Sequence, residues 1–264
     1  MPIAGDLPSN LNKSGDKVRL NIDRIEAVAA TIDPIFLNTP QYVCERLSRA
    51  LGCRIVLKVE TLNPVRCFKG RGTEVVLARL QSRGTTTAVV CASAGNLGQA
   101  LAYSGRSRNF DVTVTASAMA NALKVEKMRE LGAKVVLVDG EIEAAVKAAL
   151  EHCERTGAFL IEDSKNVDTC EGAATIGLEL AKLPYQLDAV LISLGGGAMA
   201  TGIGFAMQRL RPGIEVASVQ PRGAPAMTLS YRAGRVVDAG APNTIADQIG
   251  VRRLLTLNTS GTHP

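Results

Sequence analysis

Residues 86–117 read TTAVVCASAGNLGQALAYSGRSRNFDVTVTAS, and this stretch decides the fold class. TTAVVCAS (86–93) is a short apolar run rich in β-branched residues, the mark of a buried strand. Small residues interrupt it, and a helical pattern runs from about Leu97 to Arg106. DVTVTAS (111–117) is a second buried-strand run. Strand, helix and strand in line form the repeating unit of a parallel sheet.

The same alternation extends in both directions. Upstream, CRIVLKVE (53–60) reads as a strand, with a helix expected over Thr73–Ser82. Downstream, NALKVEKMRELG (121–132) is a helix, KVVLVD (134–139) a strand and IEAAVKAALEHCERTG (142–157) a helix stopped by Gly157. AFLI (158–161) is a short apolar run, and CEGAATIGLELAKL (170–183) is helical. DAVLISL (188–194) and EVASVQ (215–220) are strand candidates that flank a helix near Ala200–Arg211. The polar, Gly-rich segment 232–243 is expected at the surface.

Length and composition narrow the function classes. The 264 residues suit one large α/β domain or two small ones. With 46% hydrophobic and 21% charged residues, the profile is that of a globular chain without disorder. No run of apolar residues reaches membrane-spanning length, so no membrane association is expected. The N-terminal MPIAGDLPSN lacks a signal pattern, which argues for a cytoplasmic protein. The six cysteines form no CxxC pair, so buried reduced thiols are expected rather than a zinc site. The net charge of +5 is spread along the chain and aromatics are only 3%, so a nucleic-acid partner is not expected.

Three loops carry the candidate chemistry. In NPVRCFKGRG (63–72), Lys69 lies between a strand and a helix. A lysine that attacks a carbonyl must be neutral, which partial burial favours. Taken alone, Lys69 fits an exposed lysine at a helix start better, since lysine is mostly exposed. SAGNLGQA (93–100) puts small residues and Asn96 before a helix, where backbone N–H groups can bind a carboxylate or phosphate. LGGGAMATG (194–202) puts three glycines before another helix, a second anion cradle. It is neither a GxGxxG fingerprint nor a P-loop. All three loops lie at the C-terminal ends of strands, where open α/β sheets bind ligands.

On these loops the chain resembles the fold type II pyridoxal-phosphate enzymes (the tryptophan synthase β superfamily), nearest the threonine/serine dehydratase group. NALKVEKMRELGAKVV (121–136), EGAATIGLEL (171–180), PRGAPAM (221–227) and TIAD (244–247) extend the resemblance, which runs from about Ile25 to Arg252. It implies two open, twisted, mostly parallel sheets flanked by helices, with the cofactor in an interdomain cleft. Residues 1–85 and 166–264 would form the larger domain and residues 86–165 a small mobile one. Pyridoxal 5′-phosphate would be held as a Schiff base on Lys69, beside Phe68. Asn96 would hydrogen-bond the cofactor's 3′-oxygen, and Gly195, Gly196, Gly197, Ala198 and Met199 would cradle its phosphate. Ser93, Ala94 and Gly95, with Asn96, would hold the substrate carboxylate.

The activity so implied is α,β-elimination of water from threonine or serine, giving a 2-oxo acid and ammonia. A β-replacement enzyme of the cysteine-synthase or diaminopropionate-synthase type is the alternative, and an inactive remnant a third. Homodimers are common in the family. Ala94 stands where serine racemases place a serine that reprotonates the opposite face, which disfavours racemisation. Gln220 stands at an acidic metal-ligand position of metal-activated relatives, so no divalent metal is expected there. Only residues 248–264 follow Asp247, so the chain looks shortened at its C-terminus. Thr259, Ser260 and Gly261 are the local candidates to face the pyridine nitrogen.

Overall fold

The computed structural model describes residues 19–253; the three candidates Thr259, Ser260 and Gly261 therefore lie outside the described residues. Four strands form a parallel sheet in the order β5–β4–β3–β6: β3 (Ala88–Ala92), β4 (Asp111–Ser117), β5 (Lys134–Val138) and β6 (Phe159–Leu160). Parallel neighbours need crossovers. Here α4 (Asn96–Ser107), α5 (Ala122–Glu130) and α6 (Ile142–Thr156) supply them. Val112, Val114 and Ala116 are buried together with Thr113 and Thr115, so β4 is covered on both faces. Gly157 takes a φ of 71° just past α6, the left-handed stop expected of it.

A second parallel pair joins β7 (Ala189–Ser193) to β8 (Glu215–Val219) through α8 (Ala198–Leu210). Leu191 and Val219 on this pair remain exposed. The mixed α/β architecture with parallel sheets and flanking helices is the one expected. An antiparallel pair was not anticipated: β1 (Gln41–Val43) and β2 (Val56–Lys58), linked by α2 (Glu45–Leu51). At three residues each, these strands are too short to show a period, and β2 fills only the centre of the strand expected over 53–60. Two short helices also escaped notice, α1 (Ile22–Ala29) and α9 (Ala226–Ala233). After α9 the chain runs largely exposed to residue 243, as expected.

The remaining pair of helices organises the site. α3 (Lys69–Arg83) starts four residues before the Thr73 expected, so Lys69 belongs to its first turn. Gly70 and Gly72 made this turn look poor in helix propensity. Packing explains them: a Cβ on Gly70 would stand 2.6 Å from the Phe36 ring. α7 (Val167–Ala181) crosses α3 in backbone contact, where a Cβ on Gly172 would stand 2.5 Å from Gly72 Cα.

Just beyond Lys69, the guanidinium of Arg71 is fully buried. It donates to both oxygens of Glu60 at 3.0 and 2.9 Å, to Glu179 Oε1 at 2.6 Å and to Thr175 Oγ1 at 3.0 Å. Lys58 donates to the other Glu179 oxygen. A buried charge needs this full set of partners. Burial alone would raise the Glu179 carboxyl, but the hydrogen bonds and charge of Arg71, with the Lys58 ammonium and the Asn38 N–H, hold it below its usual value of 4.5.

Removing Glu179 leaves the Arg71 charge short of one partner. Glu179→Ala should therefore lower stability by about 3 kcal/mol, read from the urea unfolding midpoint. Because its folded pKa is depressed, the Glu179 contribution is fully present above pH 4.5. It is lost as pH falls through the folded value, so the difference between wild type and variant should narrow in acid.

Candidate active site

Lys69 opens α3 with its side chain 16% exposed, and Nζ donates to Asp163 Oδ2 at 2.7 Å. Phe68, just before it, packs against the apolar cluster of Ile176, Ile192 and Ile203 between α7, β7 and α8. Burial pulls the Lys69 pKa down, but the Asp163 carboxylate, by charge and hydrogen bond, outweighs it and holds the value above the usual 10.5. Cys67 and Cys91 stand close enough to affect the amine. Burial pushes the Cys67 thiol up to about 11 and the Cys91 thiol to about 12, so both are neutral at physiological pH. The amine expected to be neutral is therefore an ammonium while Asp163 is its partner.

The Ser93–Asn96 loop leaves the end of β3. Ser93 Oγ accepts from the N–H groups of Gly95 at 3.2 Å and Gly98 at 3.1 Å. Its lone pairs are occupied by this turn, which leaves the hydroxyl proton free to donate. Ala94 is exposed, and α4 starts at Asn96. The backbone N–H of Asn96 donates to Gln248 Oε1 at 3.2 Å, and a Cβ on Gly95 would stand 2.7 Å from that oxygen. A neutral carboxamide thus sits against the start of α4, where a carboxylate was expected.

The glycine turn leaves β7 and enters α8. Gly197 takes a φ of 105°, a conformation that L side chains rarely adopt, immediately before Ala198 opens the helix. A Cβ on Gly196 would stand 2.6 Å from Ser164 Oγ, and one on Gly195 would stand 3.2 Å from Ile249 Cα. The Met199 side chain packs into the apolar cluster under α8, which leaves its backbone N–H as its polar group.

Two dipeptides unnoticed in the sequence join the three loops. Asp163 holds Lys69, while the adjacent Ser164 faces Gly196. Gln248 lies on Gly95 and Asn96, while the adjacent Ile249 faces Gly195. The amine and the glycine turn therefore border one space. Asp163 and Ser164 fall in EDSKN (162–166), a polar stretch without helical or strand period. Its only signal was its position just before α7.

The donor set suits a phosphorylated aldehyde. Ser164 Oγ is buried and has no hydrogen-bond partner. A phosphate beside Gly196 would supply that partner, at the start of a 13-residue helix. Lys69 would offer an amine to the aldehyde. Gln220 serves a different purpose: its Oε1 accepts from Thr228 N and Oγ1, both at 3.0 Å, at the start of α9.

Comparisons with known proteins point to the same cofactor. An L-threonine ammonia-lyase of Thermotoga maritima is 30% identical over 234 residues, 89% of this chain and 58% of that protein. A serine racemase of Oryza sativa subsp. indica is 28% identical over 235 residues, 89% of this chain and 69% of the relative. Among solved structures, maize serine racemase matches with a TM-score of 0.85 at 27% identity, covering 90% of this chain and 72% of that one. The processed form of threonine deaminase isoform 2 from Solanum lycopersicum matches at 0.80 and 28% identity, covering 89% and 70%. The chain spans 58%, 42% and 55% of the length of three threonine-lyase relatives, about half on the whole. The family model described as pyridoxal-phosphate dependent enzyme matches residues 32–260, and the chain belongs to that family, with the fold type II architecture and pyridoxal 5′-phosphate as the family's cofactor.

Proposed function

We propose that this chain carries the catalytic unit of a threonine/serine dehydratase, a lyase that eliminates water from a β-hydroxy amino acid and yields a 2-oxo acid and ammonia. The observation that carries the reading is the adjacency of the Lys69 amine, the Gly195–Ala198 turn and the Ser93–Asn96 loop, linked through Asp163–Ser164 and Gln248–Ile249. When bound, pyridoxal phosphate supplies an aldehyde for amines and a ring that takes up the charge of a deprotonated Cα.

The chain's own residues divide the work. Backbone N–H groups of Gly196, Gly197, Ala198 and Met199, with the Ser164 hydroxyl, bind phosphate at the positive end of α8. The Asn96 amide would donate to the cofactor's phenolic oxygen, and Phe68 would fix the approach to Lys69. The Ser93 hydroxyl and the N–H groups at the start of α4 receive the substrate carboxylate, with Ala94 and Gly95 giving it room, once the Gln248 carboxamide has yielded its place. Lys69, released as a neutral amine when the substrate's amino group takes its place, would remove the Cα proton. Ala94 offers no proton donor, which favours elimination over racemisation. On this reading residues 86–165 close over substrate against a body formed by residues 1–85 and 166–264. The six unpaired cysteines fit a reducing, cytoplasmic setting.

Purified protein given pyridoxal phosphate should turn yellow, and borohydride reduction should leave a mass adduct on the peptide that contains Lys69. Lys69→Ala should lose the adduct. Threonine should then yield 2-oxobutanoate and ammonia. Absence of oxo acid, together with turnover of O-acetylserine and an added nucleophile, would replace elimination with β-replacement.

Gly196→Ala drives a methyl group into the Ser164 hydroxyl. It should weaken cofactor binding by about tenfold or more, corresponding to roughly 1.4 kcal/mol, in a fluorescence titration.

A further inference from the structure

We infer that Asp163 is the positioning residue of this site: its carboxylate fixes Lys69 Nζ in the cleft and keeps one proton on that nitrogen, both before and after a carbonyl carbon joins it. The inference rests on the reading of Lys69 as the cofactor lysine, and it adds a residue that the Lys69, Asn96 and glycine-turn set lacks.

The geometry is built rather than incidental. The Asp163 main-chain oxygen accepts from the Thr169 hydroxyl, which also donates to Asn166 O at 2.7 Å. The turn around it closes with Glu162 N donating to Asn166 Oδ1 at 2.7 Å and Lys165 N donating to Glu162 O at 3.2 Å. On the other side, Lys69 belongs to the same helical turn as Arg71, whose guanidinium is tied to Glu60 and Glu179. Both ends of the 2.7 Å contact are therefore held from behind.

The electrostatics leave Asp163 alone in its role. The titratable groups that face Lys69 are Asp163 from the loop before α7, Cys67 from its own loop and Cys91 from β3. Both thiols are neutral at physiological pH, as their raised values of about 11 and 12 require. Lys69 also starts α3, where the helix dipole is positive and opposes an ammonium. Burial opposes it too. Among the described residues, only the Asp163 carboxylate offsets these two effects.

The consequence reaches the covalent step. The Lys69 ammonium carries three protons. When Nζ bonds to the carbonyl carbon, the carbonyl oxygen leaves as water with two of them. The third stays on nitrogen, opposite Asp163, and the positive charge is conserved. A nitrogen that keeps this proton leaves the attached carbon open to attack by an incoming amino group. Without the carboxylate, burial and the dipole would strip the proton at lower pH.

The test is a pH titration of the visible absorption band of the holoenzyme, for wild type and Asp163→Asn. Borohydride trapping on the Lys69 peptide is run in parallel. The asparagine variant should still trap the adduct, but its spectral midpoint should fall by about 1–3 pH units, the range for removing an opposite charge at this distance. Asp163→Glu should restore most of the shift. Asp163→Ser replaces the amide variant should that variant fail to fold, and the same fall is expected. An unchanged midpoint with the adduct intact overturns the inference and leaves the cofactor assignment standing. No adduct on Lys69 in the wild type overturns both.

Discussion

The placement of the site depends on one buried cation. Arg71 lies two residues beyond Lys69 and is gripped by Glu60 on one side and by Glu179 and Thr175 of α7 on the other. That grip sets the register of α3 against α7. Register in turn decides which residue of the loop before α7 meets the lysine. A buried ion pair of this kind is weak evidence for net stability, because desolvation opposes it. Its value here is geometric, since all three guanidinium nitrogens are engaged at once by groups from two separate segments.

Much of the architecture was legible because strands and helices of ordinary length carry their period openly. AVVCA and DVTVTAS became neighbouring parallel strands in the expected order, and the small-residue turns after β3 and β7 opened helices as anticipated. What stayed hidden was hidden for physical reasons. The start of α3 contains two glycines, and local propensity argues against helix there until the Phe36 ring and α7 are brought up. Arg71 carried no signal of its role, because no local pattern announces a guanidinium whose partners come from residues 60 and 179. Asp163 and Ser164 were invisible for the same reason, as loop residues whose importance arises from a contact distant in sequence. The short β1 and β2 strands pair only because α2 turns the chain back on itself.

The site is strongly differentiated in charge. Around the lysine, one carboxylate faces an ammonium among neutral thiols. At the glycine turn, N–H groups and an unpartnered hydroxyl await an acceptor. At the start of α4, a neutral carboxamide occupies the amide donor. An ion pair, an unpartnered hydroxyl and a neutral carboxamide thus stand beside the three loops. Similarity to both an L-threonine ammonia-lyase and a serine racemase goes with membership of one pyridoxal-phosphate dependent family.

The backbone contact between α3 and α7 has a further consequence for how such a protein can diversify. With Gly172 pressed on the Arg71 carbonyl and Gly72 on Thr169, neither helix can shift to admit a bulkier residue at the crossing. The crossing behaves as a fixed jig. New substrates or reactions must then arise from exchanges of the side chains that project into the cleft, at positions such as 94, 163, 164 and 248, while the frame that presents them stays still. Tolerance to mutation should therefore be steeply uneven across a distance of only a few residues.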